Sequence, residues 1–224
     1  MHDWHRLVKT VRLVSVLAKF RPMAQGKTSP DSARRSQASR RAILASALDL
    51  VGEVGYAKLS IEGIAARAGV GKQTIYRWWP SKGAVLFDAF LTLNEGQDGE
   101  VEGLPDTGDL EADLKLVLRA TVAELNEPRY DEPMRALSTE IAHDPALAAA
   151  YAERLDGPLK RLKKERLRSA QRAGQLAQDL DLDVAMELVW GPLLNRWLHR
   201  SGPLTPEYAD RVVETALQGL RPRP

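Results

Sequence analysis

Three residues, Gly69 to Gly71, are all that separate two short amphipathic segments within SIEGIAARAGVGKQTIYRWWPSKGAVL, residues 60–86. That spacing leaves few local folds open. Ser60 suits the N-cap of a helix whose Ile61, Ile64, Ala65 and Ala68 recur on one face. Gly69 lies just past the last periodic residue, where a left-handed terminator is expected. A second helix begins at Lys72 and carries Ile75 and Trp79, four apart, toward the core. Pro80 closes it and Ser81 caps the next helix, which buries Leu86, Phe87, Phe90 and Leu91. A first core helix over 39–54, with Ile43, Ala47, Leu50 and Val51 at helical spacing, completes the unit.

The outward face of the second helix carries the chemistry. Gln73 suits a two-bond pairing with adenine, and Lys72 and Arg77 suit guanine or phosphate. Tyr76 can donate its hydroxyl to a phosphate, and Lys82 stands at a helix amino end where backbone amides favour an anion. The pattern implies a helix-turn-helix that reads double-stranded DNA.

At these residues the chain resembles the TetR/AcrR family of one-component transcriptional repressors, whose DNA-binding domain carries a similar Gly-Val-x-x-x-x-Ile-Tyr-x-x-Trp/Phe-x-Ser-Lys pattern. The likeness covers roughly residues 39–93. Gly83 departs from the acidic residue often found there, and Trp78 is bulkier than common. The resemblance implies a homodimer on a pseudo-palindromic operator, released by a small-molecule effector. Gln73 and Arg77 are expected to read bases, with Lys72 shared between base and phosphate. Ser60, Thr74, Tyr76, Trp78 and Lys82 are expected to position the DNA backbone.

Charge is distributed unevenly. Residues 1–41 hold ten Lys or Arg against Asp3 and Asp31, a balance of +8, and because the whole chain sums to +2 the other 183 residues carry −6. The basic end adjoins the reading helix, which suits sequence-independent attraction to phosphates. Leu7, Val11, Val14 and Leu17 form a helical stripe, but its apolar run is short and broken by charge, unlike a signal peptide. The natural start is expected at Met23, and residues 24–39, nearly free of large apolar side chains, are expected to stay mobile until DNA binds. No cysteine is present, which excludes disulfides and thiolate chemistry and fits a reducing cytoplasm.

The expected organisation is a basic extension (1–38), the DNA-binding domain (39–93), a Gly- and acid-rich linker (94–108) and a helical effector-binding and dimerisation domain (109–224). Helical patterns run over 109–125, 132–143, 145–173, 181–200 and 206–220, with no competing strand alternation. The fold class is all-α, with about nine helices. The run Lys160, Arg161, Lys163, Lys164, Arg166 and Arg168 reads as a solvated face laced with acids. The helix over 181–200 is apolar on more than one side. Val189, Leu193 and Trp197, with Val213 and Leu217 of the last helix, are the expected dimer contact. Met134, Leu137, Trp190 and Leu194 are the expected pocket lining.

An enzyme would need a convergent polar site. Glu140 and His143 share a helix face beside Asp144, and they carry the alternative reading, an enzyme or metal sensor that uses DNA binding for targeting. No phosphate loop or nucleophile motif accompanies them. Neither a cofactor, a catalytic residue nor a membrane span is expected.

Overall fold

The computed structural model describes residues 30–92 and 103–222, and the amino-terminal stripe and the start at Met23 lie outside them. Among the described residues the chain is entirely helical: α1 (Pro30–Val54), a 3-10 turn (Tyr56–Lys58), α2 (Ile61–Ala68), α3 (Lys72–Tyr76), α4 (Lys82–Thr92), α5 (Leu110–Leu125), α6 (Pro128–Ile141), α7 (Pro145–Tyr151), α8 (Gly157–Arg172), α9 (Leu182–His199) and α10 (Pro206–Leu220). A π turn, Ala152–Asp156, runs α7 into α8 without a break. Counting those two as one gives nine helices among the described residues.

Three boundaries differ from the sequence expectation. α1 starts at Pro30, nine residues before the expected start at Ser39. Arg34, Arg35, Gln37, Arg40 and Arg41 are good helix formers, and no Gly or Pro interrupts them once the apolar half of the helix holds the first turns. α6 starts at Pro128, which leaves Pro133 in its interior rather than at its beginning. The helix after Pro145 contains the π turn directly before Gly157 and Pro158. Proline has no N–H to give to the carbonyl four residues back, and a wider turn accommodates its ring.

Packing divides the chain into two compact units. In one, α1 to α4 are joined by Pro128–Arg154, which holds α6 and α7. Ile43, Leu44, Ala47, Ile64, Ile75, Trp79 and Val85 form its central cluster. α6 packs on α1 and α4, and Tyr130 meets Phe90 edge to face with ring centroids 6.1 Å apart.

The other unit contains α5, α8, α9 and α10. Leu114, Val117, Leu118, Leu167, Val189, Trp190, Leu193, Val213 and Leu217 belong to its core. Asp109, Asp181 and Thr205 cap α5, α9 and α10 with their side-chain oxygens. Arg119 grips Asp210 through two bonds of 2.7 and 2.6 Å, tying α5 to α10. Arg166 and Asp113, both buried, pair at 2.7 Å, while the Arg166 Nε–H donates to the Pro105 carbonyl. Thr107 donates its backbone N–H and its hydroxyl to the same Asp113 carboxylate, and Ser169 donates to Asp106 at 2.6 Å, so α8 and this ion pair together hold the segment before α5.

The basic run on α8 is only partly a solvated face. Lys160 and Lys164 pair with Asp156 and Asp183, but Lys163 and Arg166 turn inward. Burial pushes the Lys163 ammonium down to about 8, with Asp156 opposing the shift and Lys160 adding to it.

Two outcomes follow from these buried charges. Asp113→Ala leaves Arg166 buried without its carboxylate and should cost about 3–5 kcal/mol in urea unfolding, whereas Asp113→Leu with Arg166→Met should recover most of that loss. For Lys163, the unfolded side chain keeps its proton up to about pH 10.4 while the folded one releases it near 8, so stability rises with pH across that window. Between pH 7.5 and 10 the protein should therefore gain about 1–3 kcal/mol relative to Lys163→Met, and a flat difference would contradict the assignment.

Candidate nucleic-acid interface

The turn between α2 and α3 is built as its residues dictate. The Ser60 hydroxyl accepts the Gly63 amide at 3.1 Å, and Gly69 ends α2 in the left-handed region at φ 65°. Val70 N then donates to Ala65 O and Gly69 N to Ala66 O, which satisfies the last carbonyls of α2. α3 is only five residues long, so it depends on Ile75 and Trp79 being clamped in the core.

Lys72, Gln73, Tyr76 and Arg77 are exposed together on the outer side of α3, with Tyr76 at 50 %. Thr74 and Trp78 are half-buried beside them. Trp78 leans on Trp79 with centroids 5.4 Å apart, and the Arg77 guanidinium lies 5.9 Å from the Trp78 ring. The bulkier Trp78 thus serves as a shelf under Arg77. Lys72 donates to Glu62 on α2 at 2.9 Å, a bond that lowers the Glu62 carboxyl and raises the Lys72 ammonium. Because both partners are exposed, the pair is weak and a phosphate can compete for the lysine.

Lys82 is more committed than its position suggested. Its Nζ donates to the carbonyls of Tyr56 and Leu59, each at 3.1 Å, and lies 4.3 Å from the centre of the Tyr56 ring. Two of three donors are used to pin the 3-10 turn to α4, leaving one. Gly83 is explained by the same crowding. A Cβ there would come within 3.2 Å of Leu147 and 3.3 Å of the Tyr56 hydroxyl, so any larger side chain requires these neighbours to give by a few tenths of an ångström.

Sequence reasoning missed the residue that fixes the reading helix. Asp88, on the buried side of α4 between Phe87 and Ala89, accepts Trp79 Nε1–H at 3.0 Å, Arg40 at 2.8 Å and Arg154 at 2.6 Å. Burial opposes its ionisation, but the two guanidiniums and the indole N–H outweigh burial and hold its carboxyl below the ordinary range. The signal was present as a lone acid inside the apolar run LFDAFL. Also unforeseen, Arg67 grips Glu53 with two bonds, bracing α2 against the end of α1.

The other sequence-derived residues lie on α6, α9 and α10 or next to them. Val189, Leu193, Trp197, Val213 and Leu217 are all between 0 and 6 % exposed within the single chain. Val189, Leu193, Val213 and Leu217 belong to the core of their own unit, and Trp197 is buried as well; a helix apolar all round gives no clue to which side faces inward. Of the four expected pocket residues, Met134 and Leu137 belong to α6 and Trp190 and Leu194 to α9, helices of different units, and Leu194 is 42 % exposed. Glu140 faces the buried Tyr56 hydroxyl, and burial with that carboxylate pushes the phenol up. Asp144 caps α7 through the amides of Ala146 and Leu147, and His143 is exposed. Among the described residues no three His, Cys, Asp or Glu side chains gather as a metal site, and no helix is long and apolar enough to cross a membrane.

A capped helix, a glycine turn and a clamped second helix presenting Lys, Gln, Tyr and Arg define a helix-turn-helix DNA-binding module. Residues 43–89 match the family model described as bacterial regulatory proteins, tetR family, and residues 104–216 match the one described as tetracyclin repressor-like, C-terminal domain. The chain is 31 % identical to the uncharacterised HTH-type transcriptional regulator YdeS of Bacillus subtilis, over 84 % of this chain and 92 % of that one. It is 29 % identical to the DNA-binding transcriptional repressor TetR of Mycobacteroides abscessus, over 82 % of this chain and 94 % of that one. Among solved structures, that of the TetR family transcription regulator SCO0332 aligns with a TM-score of 0.61 and 32 % identity, covering 82 % of this chain and 99 % of that one. The chain belongs to the TetR family and is a DNA-binding transcriptional regulator.

Replacing Asp88 with Ala strips three donors of their common acceptor and should cost about 2–3 kcal/mol in thermal or urea unfolding. Tyr76→Ala, on the open face of α3, should stay within about 0.5 kcal/mol of the parent. Equal losses at both positions would contradict the division into a clamp and a contact surface.

Proposed function

We propose that the protein is a cytoplasmic, homodimeric repressor that binds a pseudo-palindromic operator and leaves it when a small molecule occupies the unit formed by α5, α8, α9 and α10. The observation that carries the DNA half of this reading is the shared exposure of Lys72, Gln73, Tyr76 and Arg77 over a clamped Ile75 and Trp79. Gln73 and Arg77 are assigned to base edges, with Lys72 exchanging Glu62 for a base or phosphate. Ser60, Thr74, Tyr76, Trp78 and the remaining donor of Lys82 are assigned to the DNA backbone. The assignment contains no catalytic step.

A five-residue reading helix makes few contacts, and two half-sites joined in one dimer raise the effective concentration of the second. The outer side of α9 supports such a dimer. Val184, Leu188, Leu194 and Leu198 are exposed there, four of the six large apolar side chains exposed among the described residues. A groove of about 390 Å³ beside them is lined by Leu188, Pro192, Tyr208, Val212 and Ala216 of α9 and α10. Exposed apolar surface of this kind is covered in solution by a partner, and a second copy supplies the self-complementary match.

Gln73→Ala should lose about 1–3 kcal/mol of preference at one base pair per half-site and bind random DNA as before, measured by competition against DNA selected from a random-sequence pool. Leu188→Glu with Leu198→Glu should give folded monomers by sedimentation that bind the selected DNA at least tenfold more weakly. An unmodified protein that sediments as a monomer, or a Gln73→Ala variant with unchanged preference, overturns the corresponding half of the proposal.

A further inference from the structure

The two inward cations of α8 stand one turn apart, and neither is fully matched. Arg166 is paired with Asp113, yet its Nη1 is buried with no hydrogen-bond partner. Lys163 is 9 % exposed, and among the described residues its ammonium makes no hydrogen bond or ion pair. It rests 5.0 Å from the ring centroid of Trp190 on α9, whose own indole N–H is buried without an acceptor. Buried donors are costly to leave empty, and a protein core ordinarily avoids them or matches them. Here two buried donors, one of them on a cation, lack an acceptor, and the Lys163 ammonium beside Trp190 has no carboxylate of its own. Nothing among the described residues supplies it.

We propose that Lys163, Trp190 and Arg166 recognise a small organic anion, a carboxylate carried on an apolar body. The proposal rests on the small-molecule control inferred above and names the chemistry of the effector. A carboxylate accepts from two or three donors at once and neutralises one cation. The apolar body follows from the surroundings, since Met186 precedes Trp190 by one turn on α9 and Leu167 follows Lys163 by one turn on α8, and both are buried. Phosphate would bring a larger and more strongly hydrated charge into the same apolar setting, which disfavours it. The residual exposure of Lys163 gives the ammonium a route to solvent.

The test uses the full chain and the indole N–H signals of its five tryptophans, with Trp190→Phe assigning the signal of interest. Benzoate and octanoate are titrated against their neutral amides and against inorganic phosphate. A saturable shift of the Trp190 signal is expected with at least one carboxylate and with neither amide nor phosphate. Lys163→Met should weaken that binding at least tenfold and Lys163→Arg should largely restore it, and the unliganded Lys163→Met should melt no lower than the parent. Lys163→Gln replaces Lys163→Met if the latter fails to fold. No saturable shift with either carboxylate, an equal response to the amides, or undiminished binding by Lys163→Met overturns the proposal. Binding to the pool-selected DNA is measured on the same preparation. A protein that binds the carboxylate but no DNA leaves the anion site standing and removes the repressor reading. One that binds both together, without competition, removes the small-molecule control at this site.

Discussion

The Asp88 carboxylate is the interaction on which the reading head depends. A charge placed between Phe87 and Ala89 would be expelled from the core if it stood alone, because desolvation raises its energy by several kcal/mol. It stays because three donors from three other segments converge on it: Arg40 from α1, Trp79 from the turn after α3, and Arg154 from the π turn. The dependence is mutual. α3 has too few residues to be stable by itself, and its carboxyl end is fixed in angle by the one bond that Trp79 can make through its indole N–H.

That junction explains why the π turn falls where it does. Arg154 is the last residue of the unit that contains the reading helix, and its guanidinium lies 5.3 Å from the Phe87 ring as well as on Asp88. A regular helix running from Pro145 into Pro158 would have to lose a backbone bond at the proline. The wider turn absorbs that defect in the same five residues that carry Arg154. In this way a defect imposed by Pro158 coincides with the turn that carries Arg154 to Asp88.

The reading head was legible in the sequence because its determinants are local. Ser60, Gly69, Pro80 and Ser81 each act within three or four residues of themselves, and Ile75 and Trp79 declare the inner face of α3 by spacing alone. The second unit was legible only in its helices. α9 is apolar on nearly every side, so periodicity could not separate Val189 and Leu193, which are buried, from Leu188 and Leu194, which are exposed. On α8 the failure ran the other way. Lys163 and Arg166 look like two more members of a basic run, and only the position of Asp113, 53 residues away, and of Trp190 shows them to be internal. Asp88 escaped notice for the same reason, since its partners Arg40 and Arg154 lie 48 and 66 residues away.

The unmatched donors of the second unit, Arg166 Nη1 and Trp190 Nε1, bear on control. An effector moves a two-state equilibrium only by its difference in affinity for the two states, and a shift from 1:99 to 99:1 needs about 5.5 kcal/mol. An unmatched buried donor discriminates well, because a hydrogen bond weakens steeply once its angle or length departs from the optimum. Each donor satisfied in one conformer and stranded in the other is worth about 1–3 kcal/mol. Arg166 Nη1 and Trp190 Nε1 together are therefore of the right size to bias such a switch, whereas in the reading head Asp88, Ser60, Lys82 and Trp79 are all bonded and only the Tyr56 hydroxyl is left as a buried polar atom without a partner among the described residues.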